Sequence, residues 1–156
     1  MPEALKRLPK RCLLIAVNYH ALYYCKPKYM VYNDTPETNP LQLKAVREHQ
    51  TIHVSPEPTS DIAFDVPNIW TGFYSSHTAT WFALWMGCDP VILCGMDCYQ
   101  GEKKHCPPST YESDLFHMPL DFHLRPWVED CKNSVPHPER IRAMSGPLIN
   151  LFGAYE

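Results

Sequence analysis

One stretch, Ser75 to Gln100, SSHTATWFALWMGCDPVILCGMDCYQ, limits what this chain can fold into more than any other. It reads as loop, helix, tight turn, buried strand and polar loop. Ser75, Ser76 and Thr78 supply hydroxyls suited to capping a helix N-terminus. Ala79 to Met86 is apolar nearly all round and carries Trp81, Phe82, Leu84 and Trp85. A helix apolar on every side is a buried helix. Gly87 suits the left-handed residue that ends a helix, and Asp89-Pro90 turns the chain. Val91 to Cys94 is a continuous apolar run, as expected of a strand covered on both faces of a parallel sheet. Gly95 stops it, and Asp97, Tyr99 and Gln100 follow at its C-terminal end. In open α/β sheets ligands sit beyond that end, where helix N-termini also hold anions. The functional site is expected there.

The flanking segments supply partners for such a strand. Residues 3–11 suit a short basic helix, and Cys12 to Val17 a buried strand ending at Asn18. Tyr19 to Cys25 suits a helical turn, broken by Lys26-Pro27. Tyr29 to Tyr32 reads as a second strand, ending in Asn33-Asp34. Leu41 to His49 is an amphipathic helix, with Leu41, Val46 and either Leu43 or Ala45 facing inward. Thr51 to Val54 makes a third strand, and Ile62 to Phe64 a short edge strand. After Gln100 the chain is polar and irregular to about Phe122, and long irregular segments in compact domains serve function or move. Leu124 to Asn133 follows as a helix with Pro126 in its first turn, where proline is tolerated. Arg140 to Met144 forms a last strand, stopped by Ser145-Gly146-Pro147, and Leu148 to Phe152 packs an apolar tail. Strand and helix alternate throughout, which implies a mostly parallel sheet with helices on its faces, an α/β three-layer sandwich.

Length and composition bound the rest. A chain of 156 residues suits one domain with a real core. A net charge of -3 gives no electrostatic case for nucleic-acid binding. No run approaches the roughly 18 apolar residues of a membrane span. The charged start followed by Cys12 to Val17 is too short in apolar residues for a signal peptide. Seven cysteines leave at least one unpaired, and Cys12, Cys88 and Cys94 fall in apolar segments where a thiol acts as a small hydrophobe. A reducing cytoplasm is expected.

TATWFALWMGCDPVILCGMDCYQGEKKH resembles the central motif of the bacterial sialyltransferases with a Rossmann-like fold. That motif runs from a Ser-Gly pair through an apolar helix and a strand to Gly-Ile/Met-Asp-x-Tyr-Gln. The same stretch is similar to the domain family of the archaeal hydroxymethylpterin pyrophosphokinases. LLIAVNYHALYYCKPKYMVYND adds to the likeness, with two strands ending in Asn or Asp, and short phage proteins share the pattern. The resemblance covers Leu13 to Gln100. It implies a nucleotide or nucleotide-sugar ligand and a glycosyl or pyrophosphoryl transfer, in the cytoplasm of a bacterial host. The matching positions imply that Asn18, Asn33, Ser75, Ser76, Asp97 and Tyr99 surround the nucleotide. The family places its lid and base in the loop that here holds His105, His117 and His123. Two departures stand out. No glycine-rich phosphate loop occurs in this sequence, so a member truncated at its N-terminus is expected, its short sheet edge inviting a homodimer. Ser76-His77 stands where the family has Ser-Gly, and a bulkier residue weakens phosphate binding by backbone N–H groups.

Plainer roles stand beside these. Asn18 can be a turn residue satisfying its own backbone. Ser75, Ser76 and His77 can cap a helix or hold phosphate at its N-terminus. Asp97 can bond to the next loop, contact sugar or phosphate, or hold a divalent metal such as Mg²⁺. A transferase needs a base, and histidine suits that task. Cys98, His105, Cys106, His117, His123 and Cys131 are zinc-type ligands, although their spacing matches no zinc motif. Lys103, Lys104, Lys132, Arg140 and Arg142 can neutralise phosphates or simply be solvated. A non-catalytic protein that keeps the fold for interaction is the other reading, with Tyr19, Tyr23, Tyr24 and Tyr29 as its interface.

Overall fold

The structure is a computed structural model and describes residues 2–34, 39–65, 74–100 and 117–156. It is mixed α/β and forms two compact units, Arg7–Ala83, and Leu84–Glu156 with Met1–Lys6. A short helix, α1 (Pro2–Arg7), opens the chain. Among the described residues no helix is long and apolar enough to cross a membrane.

The first unit is built on a four-stranded sheet of β1 (Ile15–Val17), β2 (Tyr29–Val31), β3 (Ile52–Ser55) and β4 (Ile62–Ala63), in that order. Every pairing is parallel, with Ala16 level with Met30 and Met30 with His53. Parallel neighbours need crossovers. A 3-10 turn at Tyr19–Tyr23 leads from β1 toward β2, and α2 (Pro40–His49) joins β2 to β3. The loop between β3 and β4 is short because Ile62 lies level with Val54, near the end of β3. Just before β4, the Asp61 carboxylate accepts the His53 N–H at 2.8 Å.

Ala16, Leu22, Met30, Tyr32, Ala45 and Val46 form the core of this unit, with Tyr19 packed against it. The inward stripe of α2 is Gln42, Ala45 and Val46, not Leu41, which is 54% exposed. The 42, 45, 46 spacing is the i, i+3, i+4 face of a helix, and Gln42 can lie inward because hydrogen bonds satisfy it. Helix α3 (Ser75–Trp85) sets Phe82 edge-on to Tyr29 and Phe64. The expectation of burial all round fails at its last residue, since Trp85 is 70% exposed. Tyr19, Tyr24 and Tyr29 are half-buried.

In the second unit β5 (Val91–Leu93) pairs in parallel with β6 (Ile141–Ala143) as a two-stranded sheet of its own. Gly87 and Gly95 adopt φ of 82° and 70°, as their expected roles as stops require. The helix expected over Leu124 to Asn133 differs from expectation. It begins at Leu120, as α4 (Leu120–Pro126), so Pro126 ends it instead of opening it. Proline has no N–H to give the preceding turn, and the chain continues as a π-helical segment, Trp127–Lys132, closed by Asn133 N–H to the Val128 carbonyl at 3.0 Å. Trp127 packs edge-on to Phe152 of α5 (Ile149–Phe152), beside buried Cys131, Ile141 and Leu148. The cysteines are redistributed too. Cys12 is exposed and Cys88 and Cys94 are half-buried, whereas Cys98 and Cys131 are the buried thiols.

Candidate functional site

The C-terminal ends of β1 and β2 carry a polar network. Asn18 follows β1 with φ 60° and ψ 164°, a region open in practice to glycine alone and costing other residues about 1–3 kcal/mol. Its N–H is held by the Val31 carbonyl at 3.0 Å. Its Oδ1 accepts from Gln42 Nε2 at 3.1 Å. Gln42 Oε1 in turn accepts the Tyr19 N–H at 2.8 Å. A backbone N–H can only donate, so the Gln42 amide has one orientation, and Asn18 must turn its oxygen to it. The Asn18 NH₂ group then has no partner among the described residues. Asp34 Oδ2 closes the network, accepting from Asn39 Nδ2 at 3.2 Å and from Gln42 Nε2 at 3.5 Å.

Asn33 and Ser75 are brought together. The Asn33 N–H donates to Ser75 Oγ and its Nδ2 to Thr78 Oγ1, both at 3.0 Å. Ser75 is the first helical residue of α3, so its hydroxyl ties the helix to the end of β2 and does not act as the cap. Ser76 is half-buried, and its carbonyl accepts from Thr80 Oγ1 at 2.8 Å. His77 is fully buried against Tyr74, and burial pushes its imidazole down to about 3. It offers no charge to a phosphate.

In the second unit, Asp97 to Gln100 forms a tight turn after β5. The Gln100 N–H donates to the Asp97 carbonyl at 3.1 Å, with Cys98 and Tyr99 at φ 54° and 58°. This is a type I′ turn, which usually takes Asn or Gly at both positions. Its strain is held from three sides. Asp97 Oδ1 accepts the Tyr99 N–H at 3.1 Å, and Gln100 Nε2 donates to the Cys98 carbonyl at 3.1 Å. Gly146 backs the turn so closely that a Cβ there would lie 3.1 Å from Asp97 Cα. The Tyr99 ring meets His123 at 5.1 Å. His123 is 2% exposed, His117 is exposed, and His105 lies outside the described residues.

Asn18, Asn33, Ser75 and Ser76 thus belong to the first unit and Asp97, Tyr99, His117 and His123 to the second. Burial, with Asp97 beside it, pushes the Cys98 thiol up to about 11, and burial also raises that of Cys131, so neither of these two is a ready thiolate. Among the described residues no three His, Cys, Asp or Glu side chains converge as a metal site requires. Arg142 donates to the Ile141 and Phe152 carbonyls, and Arg140 pairs with Asp89 at 3.5 Å, so both serve the fold. Lys103 and Lys104 lie outside the described residues. Gln42 is the member of the polar network that the sequence pattern did not single out. Its signal was present in the i, i+3, i+4 spacing with Ala45 and Val46, where a polar side chain implies a buried partner. No family model, curated protein or solved structure was found to match this chain.

Proposed function

We propose that this chain is a Rossmann-like cytoplasmic protein that binds a nucleotide or nucleotide-sugar at the C-terminal edge of its four-stranded sheet, as a relative of the bacterial sialyltransferases and hydroxymethylpterin pyrophosphokinase-like domains. The conformation of Asn18 carries the reading. A non-glycine residue held at φ 60°, ψ 164° by a buried glutamine, with its NH₂ left without a partner among the described residues, is a preorganised donor. A base or ribose acceptor suits it. Ser76, in the first turn of the eleven-residue α3, suits a phosphate at the positive end of that helix. Asp97 and Tyr99, which belong to the other unit, take a proposed sugar or phosphate role from the family resemblance alone, as do His105, His117 and His123 a proposed role as base. A divalent ion such as Mg²⁺ would then come with the phosphates.

A second reading keeps the binding and drops the turnover. Of the described candidate bases, His123 is almost wholly buried, and only His117 is open to solvent. A thermal-shift panel of CMP, CDP, UDP, GDP, ATP and their sugar conjugates, with and without Mg²⁺, tests both. A ligand of the native state raises the melting temperature by mass action. A shift with one nucleotide family supports binding. Release of free nucleotide from its sugar conjugate in the same samples separates transferase from binding module. No shift with folded protein removes the proposal.

A further inference from the structure

Two groups at the strand ends stay open once the Gln42 network has closed. Asn18 turns its oxygen to Gln42 Nε2 at 3.1 Å, which leaves its NH₂ as a donor. Asp34, which follows β2, uses Oδ2 for Asn39 Nδ2 at 3.2 Å and for Gln42 Nε2 at 3.5 Å. Asp34 Oδ1 accepts from nothing among the described residues, and no Lys or Arg among them pairs with this carboxylate. Gln42 Nε2 carries two hydrogens, and Asn18 Oδ1 and Asp34 Oδ2 take one each. One amide, 2% exposed, therefore sets an open donor and an open charged acceptor beside each other.

That pairing narrows what can sit on it. A phosphate could accept from Asn18 but would meet the Asp34 carboxylate as a like charge. A metal ion or an ammonium would suit the carboxylate, but an NH₂ group offers either of them only a donor. A hydroxyl can accept from the amide or donate to the carboxylate, and a bond to an ionised acceptor is the stronger kind. Two neighbouring hydroxyls serve both groups at once. The residue before Asp34 shows what such a diol would be joined to. The Asn33 N–H donates to Ser75 Oγ at 3.0 Å, so the chain reaches Asp34 from the first residue of α3. A diol at Asp34 thus lies next to the helix N-terminus where a phosphate is already placed. A diol and a phosphate on one small frame describe a ribose 5′-phosphate.

We propose that Asn18 and Asp34 hold the 2′,3′-diol of a ribose, so that the site takes ribonucleotides and rejects their deoxy forms. The Asn18 NH₂ donates to one hydroxyl, and the other hydroxyl donates to Asp34 Oδ1. Gln42 is a positioning residue that holds both side chains. The inference rests on the nucleotide reading above and adds Asp34 to it as a group that selects the sugar.

Titration calorimetry of the full chain with AMP, CMP, GMP and UMP, each beside its 2′-deoxy and 3′-deoxy forms, tests it. At least one ribonucleotide binds, and loss of either hydroxyl weakens it about tenfold or more. Asp34→Ala, at an exposed position, stays folded and binds one of the two deoxy forms as tightly as the ribonucleotide. A purely structural role for Asp34 would weaken all forms together and keep their ratios. Equal affinity for a ribonucleotide and either of its deoxy forms in the parent would overturn the diol assignment and leave the nucleotide reading standing. So would a penalty for both deoxy forms that survives Asp34→Ala. No binding by any of these ligands, in protein shown to be folded, would overturn both.

Discussion

Gln42 donates to Asn18 Oδ1 at 3.1 Å while accepting the Tyr19 N–H at 2.8 Å, from a position only 2% exposed. One buried amide therefore sets both the backbone that leaves β1 and the side chain at its tip. Gln42→Leu keeps the volume but strands two polar partners. Each buried group left unmatched costs about 1–3 kcal/mol. Urea denaturation should show a loss of about 2–4 kcal/mol with an unchanged slope. A loss under about 0.5 kcal/mol would mean that Asn18 and Tyr19 N–H find water instead.

Asn18 itself makes a prediction of sign. At ordinary positions glycine is less stable than alanine by about 0.5–1 kcal/mol. At φ 60°, ψ 164° the order inverts. Asn18→Gly should be more stable than Asn18→Ala by about 1–3 kcal/mol, and both should lose nucleotide binding. Equal stabilities would show that the backbone relaxes out of this region.

Much of this architecture was legible before the structure, because it is local. The apolar run Val91 to Leu93 becomes β5, the Gly87 stop adopts φ 82°, and Ile141 to Ala143 becomes β6. What was not legible depends on partners far away in sequence. Nothing near Gln42 announces that Asn18, 24 positions earlier, will satisfy it, so apolar Leu41 looks the better inward residue. Pro126 looks like a helix opener, yet it ends α4, and the chain continues as a π-helical segment. Trp85 reads as core by residue type, yet lies on the open side of the last turn of α3. The strained Cys98-Tyr99 turn carries no glycine or asparagine to mark it, since His123 and Gly146 hold it from outside.

Buried His77 makes stability depend on pH. Its folded value is pushed down to about 3, against about 6.5 in the unfolded chain. Between these values the unfolded chain binds a proton that the folded chain does not. The contribution of His77 is thus complete above about pH 6.5 and falls by about 1.4 kcal/mol per pH unit below it. His53, lowered by burial, acts in the same direction. Urea midpoints between pH 7.5 and 4.5 should trace this fall, and His77→Gln should flatten it. A parent protein with no slope in that window would contradict the buried neutral imidazole.

Gly146 and Gly87 form a matched pair. Both have positive φ, 76° and 82°, but a Cβ at Gly146 meets Asp97 at 3.1 Å while one at Gly87 meets nothing within 4 Å. Gly87→Ala should cost about 1 kcal/mol from backbone strain alone. Gly146→Ala should cost about 1–3 kcal/mol more, as the Asp97 turn is displaced. Thermal unfolding of the two variants gives the difference, and equal losses would mean that the turn yields freely.

The most direct test of the central claim is amide chemical-shift mapping of ¹⁵N-labelled protein, titrated with CMP, UDP and their sugar conjugates. Nucleotide binding at the strand ends predicts saturable shifts centred on Asn18, Asn33, Ser75 and Ser76, lost in Asn18→Ala. Shifts confined to other residues, or none at millimolar ligand in folded protein, would contradict it.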